Sequence, residues 1–297
     1  MATEAVLALH HELSNWGRWG ARDQRGALNT ITPAVTRAAA ATVRSGRTVS
    51  CARSLPTQPA LDNPTPVAHH MLRTATEGSG ADYFAIASHG YATSHLDALC
   101  HIFHEGRLYN GYPTDTVTAH GATELGIHHL RDGIVTRGVL LDIPARRGTE
   151  ALAPGEHIYP DELEAAEEQA GIRVQAGDLL LVRTGRWIWR ERHGAWAAHD
   201  TLAGLDASCL RWLHEREVAA LGTDGVADVL PSGVDGVAMP IHTVAIVAMG
   251  LHLLDNLDLD ALATACAEEG RWAFLLTVAP LILHRGTASP VNPIAVF

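Results

Sequence analysis

The stretch HGYATSHLDALCHIFHEG, His89 to Gly106, gathers four histidines and one aspartate. His95 and Asp97 are two apart, so on an extended segment both side chains leave the same face. Asp97, His101 and His104 follow at intervals of four and three, and a helix here would put those three on one face, a turn apart. Imidazole nitrogen and carboxylate oxygen are the mixed ligands expected for zinc or manganese. Any one of these histidines alone reads as a core or surface residue. Together, His95, Asp97 and His101 read as a metal site.

The flanking sequence is organised in short elements. Before the cluster, Pro33–Val43 reads as a helix with Thr32 as cap and Gly46 as stop, and Thr48–Cys51, Val67–Leu72 and Tyr83–Ser88 read as strands. After it, Arg137–Ile143 is a strand, and Pro160–Ala170 is a helix opened by proline and closed by Gly171. Asp178–Thr184 reads as a buried strand, Asp206–Glu217 as an amphipathic helix, and Ala219–Gly222 as a short strand. His242–Met249 and Leu259–Glu269 read as helices and Trp272–Val278 as a last buried strand. Strands dominate the first half and alternate with helices in the second. The pattern predicts one α/β domain over residues 1–297, with a mixed β-sheet or barrel-like core flanked by helices. Residues 1–32 or so read as an irregular segment tied to the body by Trp16 and Trp19.

A chain of 297 residues with 47% apolar and 19% charged residues has the composition of a soluble globular protein. Its net charge of −11 with neutral histidine argues against nucleic acid or an anionic membrane as partner, although 18 histidines take up protons as pH falls. The cysteines, Cys51, Cys100, Cys209 and Cys266, form no CxxC pair and read as free thiols in a reducing cytoplasm. The opening MATEAVLALHHELSNWG has no basic start before an apolar core, unlike a secretory signal. The apolar run Val244–Leu254 is too short to span a bilayer. The expectation is a cytoplasmic protein acting on a small molecule.

A metal-activated hydrolase needs three or four fixed ligands, an open position for water, and a base for the water's proton. His95, Asp97 and His101 are candidates for three ligands, and the two oxygens of Asp97 allow it to bridge two ions. His104, further along, suits a general acid or base; its other reading is a solvent-facing histidine beside Glu105. A further ligand must come from elsewhere, and the segment from Gly222 to Leu259 holds His242, just after Pro240, and Asp255. On pattern alone His242 is a histidine at a helix start and Asp255 a cap for the last helix.

The run TSHLDALCH, Thr93 to His101, resembles the GTHxDxPxH signature of the cyclase family, which includes bacterial kynurenine formamidases and isatin hydrolase. WGRWGARDQRGALNTITP, RLYNGYP at Arg107–Pro113, GTDGVADVLPSG at Gly222–Gly233 and the closing SPVNPIAVF resemble a longer branch of that family. The resemblance implies a metal-dependent hydrolase with one or two zinc or manganese ions, in an α/β fold, as a homodimer or homotetramer. It implies that His95, Asp97 and His101 are metal ligands, His104 the catalytic acid/base, His242 the distal histidine ligand, and Asp255 the counterpart of a family glutamate. Three positions depart from the pattern. Tyr91 stands where the family has its first histidine, with His89 two residues further out; Asp255 is a methylene shorter than glutamate; Leu99 replaces the signature proline. A bulge that returns His89 gives two ions, and without it the site holds one.

Phe103, Tyr109, Trp187 and Tyr91 are candidates for an aromatic-accepting substrate pocket, each with the alternative of being core. Asp224 and Asn110 are candidates for orienting the ligands, or turn residues beside glycine. The activity expected is hydrolysis of an amide, lactam or lactone. The alternatives are a metal-dependent cyclase or dehydratase of polyketide-type biosynthesis, and a metal-stabilised binding protein.

Overall fold

The apolar runs Leu179–Arg183 and Ala220–Thr223 are buried along their whole length, as strands covered on both faces must be. They sit at the centre of a nine-stranded sheet in the computed structural model, which describes residues 3–297. In chain order the strands are β1 (Thr48–Ser50), β2 (His95–Asp97), β3 (Ile134–Asp142), β4 (Leu179–Arg183), β5 (Ala220–Thr223), β6 (His252–Asp255), β7 (Ala273–Val278), β8 (Ala288–Pro290) and β9 (Ile294–Val296). Their order across the sheet is β1-β9-β7-β3-β4-β5-β6-β2-β8. The run β3-β4-β5-β6 is parallel, and antiparallel strands extend it on both sides. The sheet curls into a half-barrel with helices packed around it, the α/β class that the sequence pattern predicts.

The helix Pro160–Ala170 has the bounds its punctuation implies, with proline in the first turn and Gly171 left-handed (φ 62°) at the end. The segment predicted as a helix over His242–Met249 is a short α-turn, Pro240–His242, that widens into a π-helix, Thr243–Met249. Its last carbonyls are met by the N-terminal segment. Asn15 donates its backbone N–H to Ala248 and its amide to Met249, and the Trp16 indole donates to Val247. The N–H of Ala27 reaches Gly250 at 2.7 Å. That approach requires glycine at position 26, where a Cβ would lie 2.0 Å from the Gly250 oxygen.

Two local expectations change. The chain does not turn helical after Asp97: β2 ends there and a tight turn follows, with the His101 N–H on the Ala98 carbonyl. β2 pairs on both edges, with β6 and β8, so extension prevails over helical spacing. The N-terminal stretch predicted as irregular contains a helix, Thr3–Glu12, which buries Val6 and Leu9, with Leu13 buried just past its end. Among the described residues no helix is long and apolar enough to cross a membrane.

Candidate metal centre

Alternation along β2 sends Leu96 into the core and leaves His95 and Asp97 on the opposite face. In the β6–β2 pair Asp255 stands opposite His95, so a third donor joins that face at the carboxyl end of β6. His242 enters from the turn before the π-helix. Its Nε2 lies 3.3 Å from Asp255 and 3.7 Å from Asp97. His89 completes the ring, with Nδ1 3.0 Å from Asp97 Oδ1, and His95 Nε2 lies 3.4 Å from the same oxygen. The donors fall into two groups that share Asp97: His89, His95 and Asp97, and Asp97, His242 and Asp255. The irregular loop from Gly90 to Ser94, rather than a β-bulge, brings His89 back to Asp97.

The imidazoles are held so that one nitrogen faces the group. His95 Nδ1 donates to the Thr93 carbonyl at 2.8 Å, freeing Nε2. His242 Nδ1 donates to Asp228 at 2.6 Å, and the same carboxylate accepts the N–H groups of Ile241 and His242. His89 Nε2 meets the Thr287 hydroxyl at 3.0 Å, leaving Nδ1 inward. Outer partners of this kind fix tautomer and ring orientation at metal sites.

Electrostatics supports a cation. Both oxygens of Asp97 are buried without a well-formed hydrogen bond among the described residues, as is Asp255 Oδ1. Such carboxylates cost several kcal/mol unless compensated. Burial would lower the His95 pKa, but Asp97 and Asp255 raise it to about 9. At His242 the same opposition, with Asp255 and Asp228 outweighing burial, raises the pKa well above its ordinary value. In each case a proton supplies the positive charge that the carboxylates call for. Two carboxylates and three singly freed imidazoles fit one or two divalent ions.

His101 stands apart from these groups. Its Nε2 is 4.0 Å from Asp97 Oδ2, its ring stacks on His89 at 3.7 Å, and its side chain is 26% exposed, against 1–3% for Asp97, His95, His242 and Asp255. Burial lowers its pKa to about 4, with Asp97 opposing and His89 adding, so the ring is neutral. His104 stacks instead on His10 at 3.8 Å and lines a cavity of about 530 Å³ with His11, Trp16 and Arg107.

The aromatic candidates separate. Tyr91 stands near the donors: burial, then the charge of Asp255, raises its phenol pKa, and its ring faces His199 at 6.4 Å. Beside it lies a small apolar cluster that includes Leu230, Trp196 and Met239. Phe103 is exposed at the surface. Tyr109 is fully buried with its hydroxyl on Asp23, and Trp187 is buried with its indole on the Leu257 carbonyl. Asp224 caps Thr184, Gly185 and Arg186, and Asn110 pins Gly17, Gly20 and Asp23 of the N-terminal segment. Asp228 and Thr287 carry no local sequence signal: Asp228 meets His242 14 residues on, and Thr287 meets His89 198 residues back.

The family model for putative cyclases matches residues 9–227. A solved structure described as a novel cyclase is 30% identical, with a TM-score of 0.88 over 96% of this chain and 100% of its own. Isatin hydrolase A from Ralstonia solanacearum is 24% identical, with a TM-score of 0.59 over 89% of this chain and 98% of its own. A predicted metal-dependent hydrolase from Bacillus stearothermophilus is 16% identical, with a TM-score of 0.55 over 84% and 97%. No curated protein matches the sequence.

Proposed function

This chain belongs to the cyclase family, and on that premise we propose that it is a metal-dependent hydrolase of a small-molecule amide, lactam or lactone. The observation that carries the reading is the buried Asp97 carboxylate, shared by two donor groups and without a well-formed hydrogen bond among the described residues. His89, His95, Asp97, His242 and Asp255 would hold one or two divalent ions, zinc or manganese by donor type. Such an ion supplies Lewis acidity to a carbonyl oxygen and acidity to water.

The residues of the chain do the rest. His101, kept neutral by burial and with Nε2 4.0 Å from Asp97, would take a proton from attacking water as the water oxygen bonds the carbonyl carbon. The same ring returns that proton to the nitrogen or oxygen that departs when the C–N or C–O bond breaks. This role falls to His101 because His104, its expected bearer, stacks on His10 instead. Tyr91, Trp196 and Met239 offer an apolar wall for the substrate. The reading includes self-association into a homodimer or homotetramer in the cytoplasm. It is supported by a hairpin, Ala68–Arg73 with Ala81–Ala85, whose Met71, Leu72, Tyr83 and Phe84 are exposed on a two-stranded arm.

The test is hydrolysis of N-formylkynurenine, isatin and simple lactones before and after chelation, with zinc or manganese then restored. Turnover that survives complete metal removal rules the proposal out. The description of the 30%-identical relative as a cyclase favours a second reading, ring closure or dehydration. Product mass separates the two, since hydrolysis adds one water and cyclisation or dehydration does not.

A further inference from the structure

His89 reaches Asp97 although it lies six residues before His95, and the loop between them is held by two side chains outside the donor set. Asn256 donates its amide to the carbonyls of Gly90 at 2.8 Å and Thr93 at 3.2 Å. Arg186 donates to the Tyr91 carbonyl and to the Asn256 side-chain oxygen. Three of the four loop carbonyls between His89 and Ser94 are therefore fixed by this pair. Both side chains are buried, Asn256 at 0% and Arg186 at 2% exposure, and the guanidinium lies over the rings of Trp187 and Trp196.

Asn256 is itself bolted down. It adopts a left-handed conformation (φ 56°), its N–H meets the Gly225 carbonyl at 2.7 Å, and its carbonyl accepts the Ser94 hydroxyl at 2.7 Å. Every polar group of this residue is engaged. The loop it holds has no strand pairing of its own, and Gly90 takes φ 134°. The backbone of His95 and Asp97 is fixed by β2 pairing on both edges, and the loop adds only the Thr93 carbonyl that the His95 ring donates to.

We propose that Arg186 and Asn256 are positioning residues for His89, and thereby set whether a second ion is held. The inference rests on the reading of the centre as a metal site. The group of Asp97, His242 and Asp255 is complete without His89, whereas the group of His89, His95 and Asp97 is not. Without the clamp, His89 keeps Thr287, its stacking on His101 and an edge contact with the His95 ring, and its side chain is already 32% exposed. One ion then stays and the other is lost. Lysine cannot replace Arg186, because a single ammonium lacks the fork that spans the Tyr91 carbonyl and Asn256.

The experiment titrates Zn²⁺ and Mn²⁺ into the metal-free full chain by calorimetry, with bound metal counted by elemental analysis. Wild type is compared with Arg186→Lys, Asn256→Asp, His89→Gln and the double variant Arg186→Lys/His89→Gln. Circular dichroism of the metal-free proteins checks folding, and Asn256→Asp decides if Arg186→Lys does not fold. The expected result is two ions in wild type. Each single variant keeps the tighter ion and binds the weaker at least about 10-fold less well, and the double variant loses no more than His89→Gln alone. Equal weakening of both ions, or additive losses in the double variant, overturns the clamp. Two ions retained in the clamp variants overturn it while leaving the metal reading intact; no ion in wild type overturns both, and a single ion overturns the clamp.

Discussion

Asp255 stands directly opposite His95 across the β6–β2 pair, so one backbone register sets the distance between a carboxylate of one donor group and an imidazole of the other. Side chains opposite each other in an antiparallel pair have Cβ atoms roughly 4.5–5.5 Å apart. A slip of β2 by one residue would turn His95 and Asp97 to the face opposite Asp255. The strands therefore fix three of the five donors, His95, Asp97 and Asp255.

Asp228 holds the N–H groups of Ile241 and His242 and the His242 ring at once. Asp228→Asn keeps the shape but weakens the acceptor facing Nδ1. Metal affinity should fall by about 10- to 100-fold, read by competition with a chelating dye. An unchanged affinity would remove Asp228 from this role.

His101 and His104 can be separated by kinetics. His101→Ala should lower kcat by about 10²- to 10⁴-fold while metal content by elemental analysis is unchanged. His104→Ala should leave kcat of the same order, since that ring stacks on His10. The opposite pattern would return the proton-transfer role to His104.

Acid should loosen the N-terminal helix through His10. Burial, then the charges of His104 and His11, lowers its pKa from 6.5 to about 4. Between those values the unfolded chain binds a proton that the folded chain refuses, so stability falls as pH drops from 6.5 towards 4. Thermal melting at pH 7 and pH 5 should show a smaller drop for His10→Phe, which keeps an aromatic ring on His104. Equal drops in the two proteins would exclude His10 as a source.

Gly26→Ala should destabilise the chain by about 3 kcal/mol or more. The new Cβ meets the Gly250 oxygen at 2.0 Å, and φ at this position is +57°. Chemical denaturation measures the loss, and a change below about 1 kcal/mol would mean the two backbones separate easily.

What the sequence makes legible follows the range of the interactions involved. His95 and Asp97 can be read from a spacing of two because strand alternation acts between neighbours. The helix Pro160–Ala170 is legible because proline and glycine mark its ends. His242 and Asp255 could be found only through family resemblance, since no local period links them to Asp97. The helix Arg186–His193 has no local start signal: its start is capped by Asp224, 38 residues further on from Arg186. Asp228 carries no local pattern that marks it, and Arg186 and Asn256 act through bonds spanning 70 to 166 residues. Hydrophobic periodicity also cannot tell a π-helix from an α-helix over the seven residues Thr243–Met249.

The strand that carries His95 and Asp97 has β6 and β8 as its neighbours, and both come from the C-terminal part of the chain. During synthesis, which proceeds from the N-terminus, β2 emerges long before either partner exists. Ser94 must wait for Asn256, 162 residues later, before its hydroxyl finds an acceptor. Pairings of such sequence separation form slowly because the intervening loop must close first. The strand that carries these donors is thus among the last pieces of the sheet to be seated, and on the proposed reading metal binding reports a chain that has finished folding.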